Sequence, residues 1–172
     1  MTTFTVRRAR PADGERIREL NELAMAETPE WVAGAPDTDL RDVRAHYLDA
    51  GGEFLVGVCE GRIVATAAYE PLAGWMRAQF PASDRPSGSI VELSRMRVDP
   101  DCWGRGYGTR LYEALASRAR GAGHHAFVLN TGVDNDRARG FYESLEFEPV
   151  REVTVEFDDV TLALALYRRP LV

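Results

Sequence analysis

A glycine-rich run at residues 98–109 gives the clearest indication of chemistry in this chain. It follows a stretch with strand-like alternation and precedes apolar positions at helical spacing, and its alternate glycines are Gly104, Gly106 and Gly108. Glycine lets the backbone approach an anion closely and adopt positive φ. The first amides of a helix have no intrahelical partner and favour negative charge. The run therefore predicts a phosphate cradle of backbone amides, to which Arg105 and Arg110 can add bidentate contacts.

Two other interpretations of this run remain open at this point. The glycines alone are also compatible with a plain tight turn. A dinucleotide-binding fingerprint would be expected in the first strand–helix unit, with an acidic residue about 20 positions later that meets the ribose. Here the run comes late in the chain, and Gly123-His124-His125 occupies the position where the acidic residue is needed. A dinucleotide-binding protein is therefore disfavoured. All 21 basic residues are arginine, which excludes a P-loop lysine and with it a Walker-type nucleotide site.

Composition narrows the class of protein further. A chain of 172 residues with 45% apolar residues suits a single domain over 1–172. The net charge of −6 argues against a nucleic-acid-binding surface. The two cysteines, Cys59 and Cys102, form no disulfide or metal-ligand pattern. Apolar runs fall short of the ~20 residues of a membrane span, and the first residues lack a signal-peptide stretch. We therefore expect a cytoplasmic protein that binds no metal, nucleic acid or membrane.

The elements that must position the glycine-rich run follow from hydrophobic periodicity. Alternating or apolar runs predict strands at 4–8, 53–59, 63–69, 90–98, 125–130, 150–157 and 160–167. Helical spacing predicts helices at 17–28, 40–47, 104–120 and 135–145, with loops at 29–36 and 71–89. This order predicts an α/β (α+β) fold with a mixed, largely antiparallel sheet of six to seven strands, about four helices and one right-handed parallel crossover.

Two further segments extend the pattern into a family resemblance. Val91-Glu-Leu-Ser-Arg-Met-Arg-Val-Asp-Pro100 precedes the loop, and Asn135-Asp-Arg-Ala-Arg-Gly-Phe-Tyr-Glu-Ser-Leu-Glu-Phe147 follows it. Together with Gly106-Tyr107-Gly108 they resemble the GCN5-related N-acetyltransferase (GNAT) family. Its loop is Gln/Arg-x-x-Gly-x-Gly/Ala, and its later segment is Asn-x-x-Ala-x-x-Phe-Tyr-x-x-x-Gly-Phe. The chain departs from the pattern at Trp103, which replaces Gln/Arg, and at Glu146, which replaces the glycine expected at a left-handed turn.

The resemblance implies a sheet splayed between strands 4 and 5, with the pantetheine arm of acetyl-CoA inserted between them. It implies a cosubstrate site made by the strand-4 backbone, the loop and two asparagines. These residues are Met96, Arg97, Val98, Trp103, Gly104, Arg105, Gly106, Tyr107, Gly108, Thr109, Asn130 and Asn135. Asn130 and Asn135 can bind either the coenzyme or an intervening water.

The resemblance also implies two catalytic residues. Tyr142 matches the family's general acid, which protonates the departing thiolate; alternatively it is a core aromatic. Glu92 matches the glutamate that deprotonates the amine in histone-type members, directly or through water; alternatively it is an edge charge or an ion-pair partner. Period-two geometry predicts that Glu92, Ser94, Met96 and Val98 share one face of the strand. An acyl-cysteine route through Cys102 is disfavoured because nothing nearby marks the thiol as activated.

The acceptor site is expected at two loops, 28–36 with Trp31 and 72–89 with Trp75 and Phe80, whose aromatics either line the site or anchor the loops. We predict transfer of an acetyl group from acetyl-CoA to a primary amine of a small molecule, by direct attack in a ternary complex. The alternatives are a protein or peptide N-acetyltransferase and a non-catalytic acyl-CoA-binding module. The chain is expected to be a monomer or a homodimer.

Overall fold

The computed structural model describes residues 2–171 and contains one seven-stranded sheet in the order β1-β2-β3-β4-β5-β7-β6. The strands are β1 Phe4–Arg8, β2 Glu53–Cys59, β3 Arg62–Pro71, β4 Ile90–Val98, β5 Ala126–Gly132, β6 Glu148–Phe157 and β7 Val160–Pro170. The α-helices are α1 Gly14–Met25, α2 Gly74–Gln79, α3 Tyr107–Gly121 and α4 Asp136–Ser144. The predicted mixed, largely antiparallel sheet of six to seven strands is confirmed, and it has seven.

Strands β4 and β5 form the single parallel pair of this sheet, and they are joined only at their start. Ile90, Val91 and Glu92 pair with residues 126–128, and the pairing stops there although both strands continue. From Leu93 onward one edge of β4 has no partner strand, while the other edge stays paired with β3. The sheet is therefore splayed between β4 and β5, as predicted, and a gap opens toward the amino-terminal end of α3.

A bulge in β4 changes which side chains face each side of the sheet. Ser94 lies opposite Ala68, but Arg97 lies opposite Thr66, so β4 carries one extra residue over this stretch. The extra residue is accommodated at Arg95, whose φ is +52°. The sequence-based prediction that Met96 and Val98 share a face with Glu92 is therefore wrong, because period-two alternation breaks at a bulge.

The bulge places different groups on the two faces of β4. Met96 and Val98 pack against the core formed with α3, together with Val91 and Leu93. Arg97 takes the opposite face, the one that Glu92 and Ser94 occupy before the bulge. The Arg97 guanidinium therefore lies on the face of β4 that is turned away from α3.

Two cores fix this sheet between its helices. The α3 side buries a large cluster that includes Leu111, Leu115 and Ala119 at helical spacing. A second cluster is buried under α1. In it Ile17 and Leu20 pack against the faces of β2 and β3 that point away from α3. Both helices therefore follow from the amphipathic spacing in the sequence.

Other sequence-based predictions are corrected in the connecting segments. The predicted helix at 40–47 is a π-helical turn, Arg44–Leu48, preceded by a 3-10 turn, Thr38–Leu40. The predicted loop at 71–89 contains helix α2. Glu146 adopts φ +67°, so a non-glycine residue holds the left-handed turn after α4. Among the helices described, none has the length and apolarity needed to cross a membrane.

Candidate active site

A cavity of about 450 Å³ occupies the gap between β4 and β5. It extends from the turn before α3 to helix α4 and to the segment that follows α1. Twelve of the predicted site residues line it: Met96, Arg97, Val98, Trp103, Gly104, Gly106, Tyr107, Gly108, Thr109, Asn130, Asn135 and Tyr142. Two predicted residues, Glu92 and Arg105, do not. The splayed sheet thus brings most of the predicted site into one cavity.

The turn before α3 has the geometry of a phosphate cradle. Within residues 2–171, the six consecutive amides of residues 104–109 have no hydrogen-bond acceptor in the protein. Gly106 precedes the helix with φ +77°, a conformation that glycine adopts without strain. A Cβ at Gly108 would come within 3.3 Å of the Phe141 ring. These features fit a pyrophosphate held by backbone amides at a helix amino terminus.

Arginine and tryptophan side chains add to this end of the cavity. The Trp103 indole donates from Nε1 to the Val98 carbonyl at 3.1 Å. The guanidinium of Arg137 stacks 3.6 Å from the Trp103 ring centroid. Arg137 lines the cavity and was missed from the sequence, where it is one of many surface-type arginines. Arg110 instead donates to the Phe4 carbonyl at 3.0 Å, so it secures α3 against β1.

The free edge of β4 directs backbone groups into the gap. Asp99 donates its amide to Val64 on β3 at 2.8 Å. Since successive residues of a strand point their backbone groups to opposite edges, those of Val98 point away from β3. The Val98 carbonyl is indeed reached by Trp103 from the gap. The Val98 amide is therefore available to a ligand that lies along this edge. The Met96 amide, two residues earlier on the strand, points to the same edge and is available as well.

Tyr142 is positioned on α4 as a buried phenol at the cavity wall. Its ring packs against Phe147 and Tyr167, and 8% of the residue remains exposed. Within residues 2–171 its hydroxyl has no hydrogen-bond partner. Burial raises the pKa of Tyr142 to about 12; the Arg97 charge opposes this shift, and Glu30 adds to it. The phenol is therefore protonated at neutral pH and can donate a proton into the cavity.

Glu92 lies outside the cavity lining, on the Arg97 face of β4, where β4 is still paired with β5. Burial, and then the charge of Glu70 on β3, raise the pKa of Glu92 to about 7. Glu70 lies directly opposite Glu92 in the strand register and is paired with His46 at 2.8 Å. Glu92 is half-buried, and its register partner on β5 is Val128. A carboxyl group with this pKa can accept a proton near neutral pH.

Glu30 is an acidic residue of the cavity that was missed from the sequence. It lies in the predicted acceptor loop at 28–36 and lines the cavity. In the sequence, its position beside Trp31 is the one feature that distinguishes it from other glutamates. Its Oε1 accepts from Asn135 Nδ2 at 2.8 Å, and its Oε2 is buried without a partner. Asn135 Oδ1 accepts from the Ala138 amide at 3.1 Å and so caps α4. Both ends of the Asn135 amide are therefore engaged by the protein.

The remaining candidates have other positions. Cys102 lines the cavity, but burial raises the pKa of its thiol, which is the opposite of activation. His124 and His125 contact Ser89 away from the cavity. Phe80 is fully buried core, whereas Trp31 and Trp75 are 46% and 41% exposed and do not line the cavity. In the described part of the chain, no cluster of three or more His, Cys, Asp or Glu residues is suited to a metal ion.

A splayed sheet with free backbone amides at the strand–helix turn is the arrangement expected of a GNAT-type acetyltransferase fold. The model of the acetyltransferase (GNAT) family matches residues 17–147, and the chain belongs to this family. Among solved structures, the N-acetyltransferase from Staphylococcus aureus Mu50 superposes with a TM-score of 0.78 at 18% identity, covering 99% of both chains. An acetyltransferase from Salmonella typhimurium, solved with acetyl-CoA, has a TM-score of 0.74 at 23% identity and covers 98% and 94% of the two chains.

Curated relatives are N-acetyltransferases with different acceptors. N-acetylaspartate synthetase from Danio rerio is 32% identical over 135 residues, which are 78% of this chain and 42% of that protein. The N-alpha-acetyltransferase RimI from Mycobacterium tuberculosis is 29% identical over 141 residues, 81% of this chain and 75% of that protein. The chain spans about half the length of several of the relatives it matches.

Proposed function

We propose that this protein transfers an acetyl group from acetyl-CoA to a primary amine of a small molecule, by direct attack in a ternary complex. The observation that carries the proposal is the gap between β4 and β5, because one cavity is lined both by Gly104 and residues 106–109, whose amides are free, and by Tyr142. Solved relatives bind acetyl-CoA in this fold, which supports the choice of donor. In this proposal the cradle binds the pyrophosphate and the free edge of β4 binds the pantetheine amides.

The chain's own residues supply the chemistry of the transfer. The amine nitrogen forms a bond to the thioester carbon as the carbon–sulfur bond breaks. A backbone amide of residues 96–98 stabilises negative charge on the thioester oxygen. Tyr142 donates its proton to the departing sulfur, and Glu92 takes a proton from the amine through water, because Glu92 does not itself line the cavity. From a neutral amine the products are an amide and free coenzyme A, because the proton that Glu92 accepts returns through water to the tyrosinate left by the transfer.

A thiol-release assay with acetyl-CoA and a panel of small amines, amino acids and short peptides tests this function. We expect release with at least one small amine, together with saturable binding of acetyl-CoA by calorimetry. Tight binding of acetyl-CoA without thiol release on any acceptor would identify a non-catalytic acyl-CoA-binding module. Release on peptide amino termini but on no small amine would identify a protein N-acetyltransferase, the activity for which the RimI relative is named.

A further inference from the structure

Arg97 is a cation of the cavity wall, and no carboxylate among residues 2–171 forms an ion pair with it. Its Nε donates to Asn21 Oδ1 at 3.0 Å, and its Nη1 donates to the Met96 carbonyl at 3.0 Å. Both acceptors are neutral. Within residues 2–171, Nη2 has no hydrogen-bond partner, and no carboxylate oxygen lies within the 4.0 Å limit of an ion pair. A guanidinium stays charged in proteins, so the cavity receives an uncompensated positive charge.

The neighbouring Arg95, in contrast, is paired with carboxylates. Arg95 binds Asp39 in a bidentate pair and Asp37 at 3.1 Å, and it shares the Asn21 acceptor with Arg97. Arg95 is therefore paired with two carboxylates, whereas Arg97, two positions later on β4, pairs with none among residues 2–171. A largely buried cation without a partner is unfavourable, and an anion that enters the cavity with good geometry would remove this cost.

The position of Arg97 indicates which ligand supplies that anion. The phosphate cradle lies at the start of α3, and the α3 side of β4 presents Met96 and Val98. The bulge at Arg95 turns Arg97 to the other face, where Glu92 also lies. The free charge is therefore on the acceptor side of the thioester rather than at the coenzyme phosphates.

Glu30 supplies a complementary negative charge in the same cavity. Its Oε2 is buried without a partner, and a hydrogen-bond donor from a ligand would satisfy it. Glu30 and Arg97 both lie close enough to Tyr142 to act on its ionisation, with opposite signs. The cavity is thus lined by one arginine and one glutamate that have no ion-pair partner among residues 2–171, and both act on the proposed proton donor.

We infer that the acceptor is an amino acid or a close analogue, whose carboxylate binds Arg97 and whose amino group lies against Glu30. This inference rests on the proposed acetyltransferase function and narrows its substrate class. An unmodified amino acid presents both charges within a few bonds. A protein amino terminus has no carboxylate at that distance, because its carboxyl group is in a peptide bond.

Matched acceptors test this inference. Thiol release is measured with the 20 amino acids, and the best substrate is then compared with its carboxamide and its decarboxylated amine. We expect kcat/KM for the acid to exceed that for the amide by about 100-fold, the size expected when one member of a buried charge pair is removed. In Arg97→Gln that ratio should fall below about 5-fold, and Arg97→Lys should recover part of it. Glu30→Gln should raise the KM for the amino acid.

Controls separate the possible failures. Arg44→Gln, at an exposed arginine, should keep the wild-type acid-to-amide ratio. Acetyl-CoA binding measured by calorimetry shows whether each variant folds, and the wild-type ratio remains informative if Arg97→Gln does not. Equal rates on acid and amide, or a ratio that survives in Arg97→Gln, would overturn the inference. So would a preference for malonyl-CoA or succinyl-CoA that depends on Arg97, because the carboxylate would then belong to the donor. Absence of thiol release on every amine would instead contradict the proposed function itself.

Discussion

Asp39 binds Arg95 through two parallel hydrogen bonds, 2.8 Å to Nε and 2.6 Å to Nη2. Arg95 is the bulged residue of β4, with a φ that is costly for any residue but glycine. Thr66 donates to the Arg95 carbonyl at 2.7 Å and fixes the bulge from β3. A contact from the segment after α1 therefore stabilises the backbone conformation that sets the direction of Arg97.

Asp39→Asn tests this role of the ion pair. The substitution leaves a largely buried guanidinium without its main counter-ion, so the free energy of unfolding should fall by about 3 kcal/mol. Thiol release should fall as well, because the bulge positions the free edge of β4. Asp49→Asn is the matched control, since Asp49 is exposed and pairs with Arg44 at 3.7 Å. Urea unfolding measures both variants, and equal stabilities would show that the bulge does not depend on Asp39.

Tyr142→Phe tests the proposed role of Tyr142 as the proton donor. The substitution removes one hydroxyl from a buried ring and keeps the packing against Phe147. We expect kcat to fall ~10–100-fold with a modest change in the KM for acetyl-CoA. Tyr112→Phe removes a hydroxyl that bonds Arg169 outside the cavity, and it should keep the wild-type kcat. Full activity in Tyr142→Phe would remove this residue from the mechanism.

Glu92 predicts a pH profile. A general base with a pKa of about 7 is active when it is ionised, so kcat/KM should fall as the pH drops through 7. Glu92→Gln should lower kcat/KM, and the fall in kcat/KM near pH 7 should disappear in this variant. Rates of the two proteins are compared from pH 5.5 to 9 on one acceptor. A profile of identical shape in the variant would exclude Glu92 as the base.

The same residue predicts a change in stability with an independent readout. The pKa of Glu92 is raised in the folded state, so ionisation of this carboxyl opposes folding at pH values above the ordinary glutamate pKa of about 4.5. Glu92→Gln should therefore raise the free energy of unfolding by about 1–3 kcal/mol at pH 8, and the gain should vanish below about pH 4. Glu113→Gln, at an exposed position of α3, should show no such trend. A gain that does not depend on pH would argue against a raised pKa.

Gly106 and Gly61 form a matched pair for the cradle. Their φ values are +77° and +76°, and neither has a heavy atom within 4 Å of an added Cβ. Alanine at either site should cost about 1–2 kcal/mol of stability, through backbone strain alone. Only Gly106→Ala should also weaken acetyl-CoA binding, by about 10-fold in Kd, because Gly106 lies among the free amides. Similar Kd values for the two variants would place the pyrophosphate elsewhere.

The sequence predicts this fold well where periodicity decides the structure. Alternation and helical spacing place the strands and helices α1, α3 and α4, and the glycines place the cradle. The bulge at Arg95 has no local signal, because its conformation depends on Asp39, which is 56 residues away. For the same reason, the strand pattern could not predict which face of the sheet carries Met96 and which carries Arg97.

The acceptor side is the least predictable part of the site. Glu30 lies in a loop without periodicity, and its importance arises from Asn135 on α4, 105 residues away. Phe80 and Trp75 have the same aromatic character in the sequence, yet one is fully buried and the other 41% exposed. Their positions follow from helix α2, which is only six residues long and has too few turns to give a periodic signal.

Asn135 performs two tasks with two different atoms. Its Oδ1 caps the helix that carries Tyr142, while its Nδ2 donates to Glu30 in the proposed acceptor loop. Replacing Glu30 would therefore release one hydrogen bond and leave the helix cap in place. Under the proposed mechanism, substitutions in the loop can change the preferred acceptor without displacing the proposed proton donor. This division gives the scaffold a route by which substrate range can evolve while the transfer reaction is conserved.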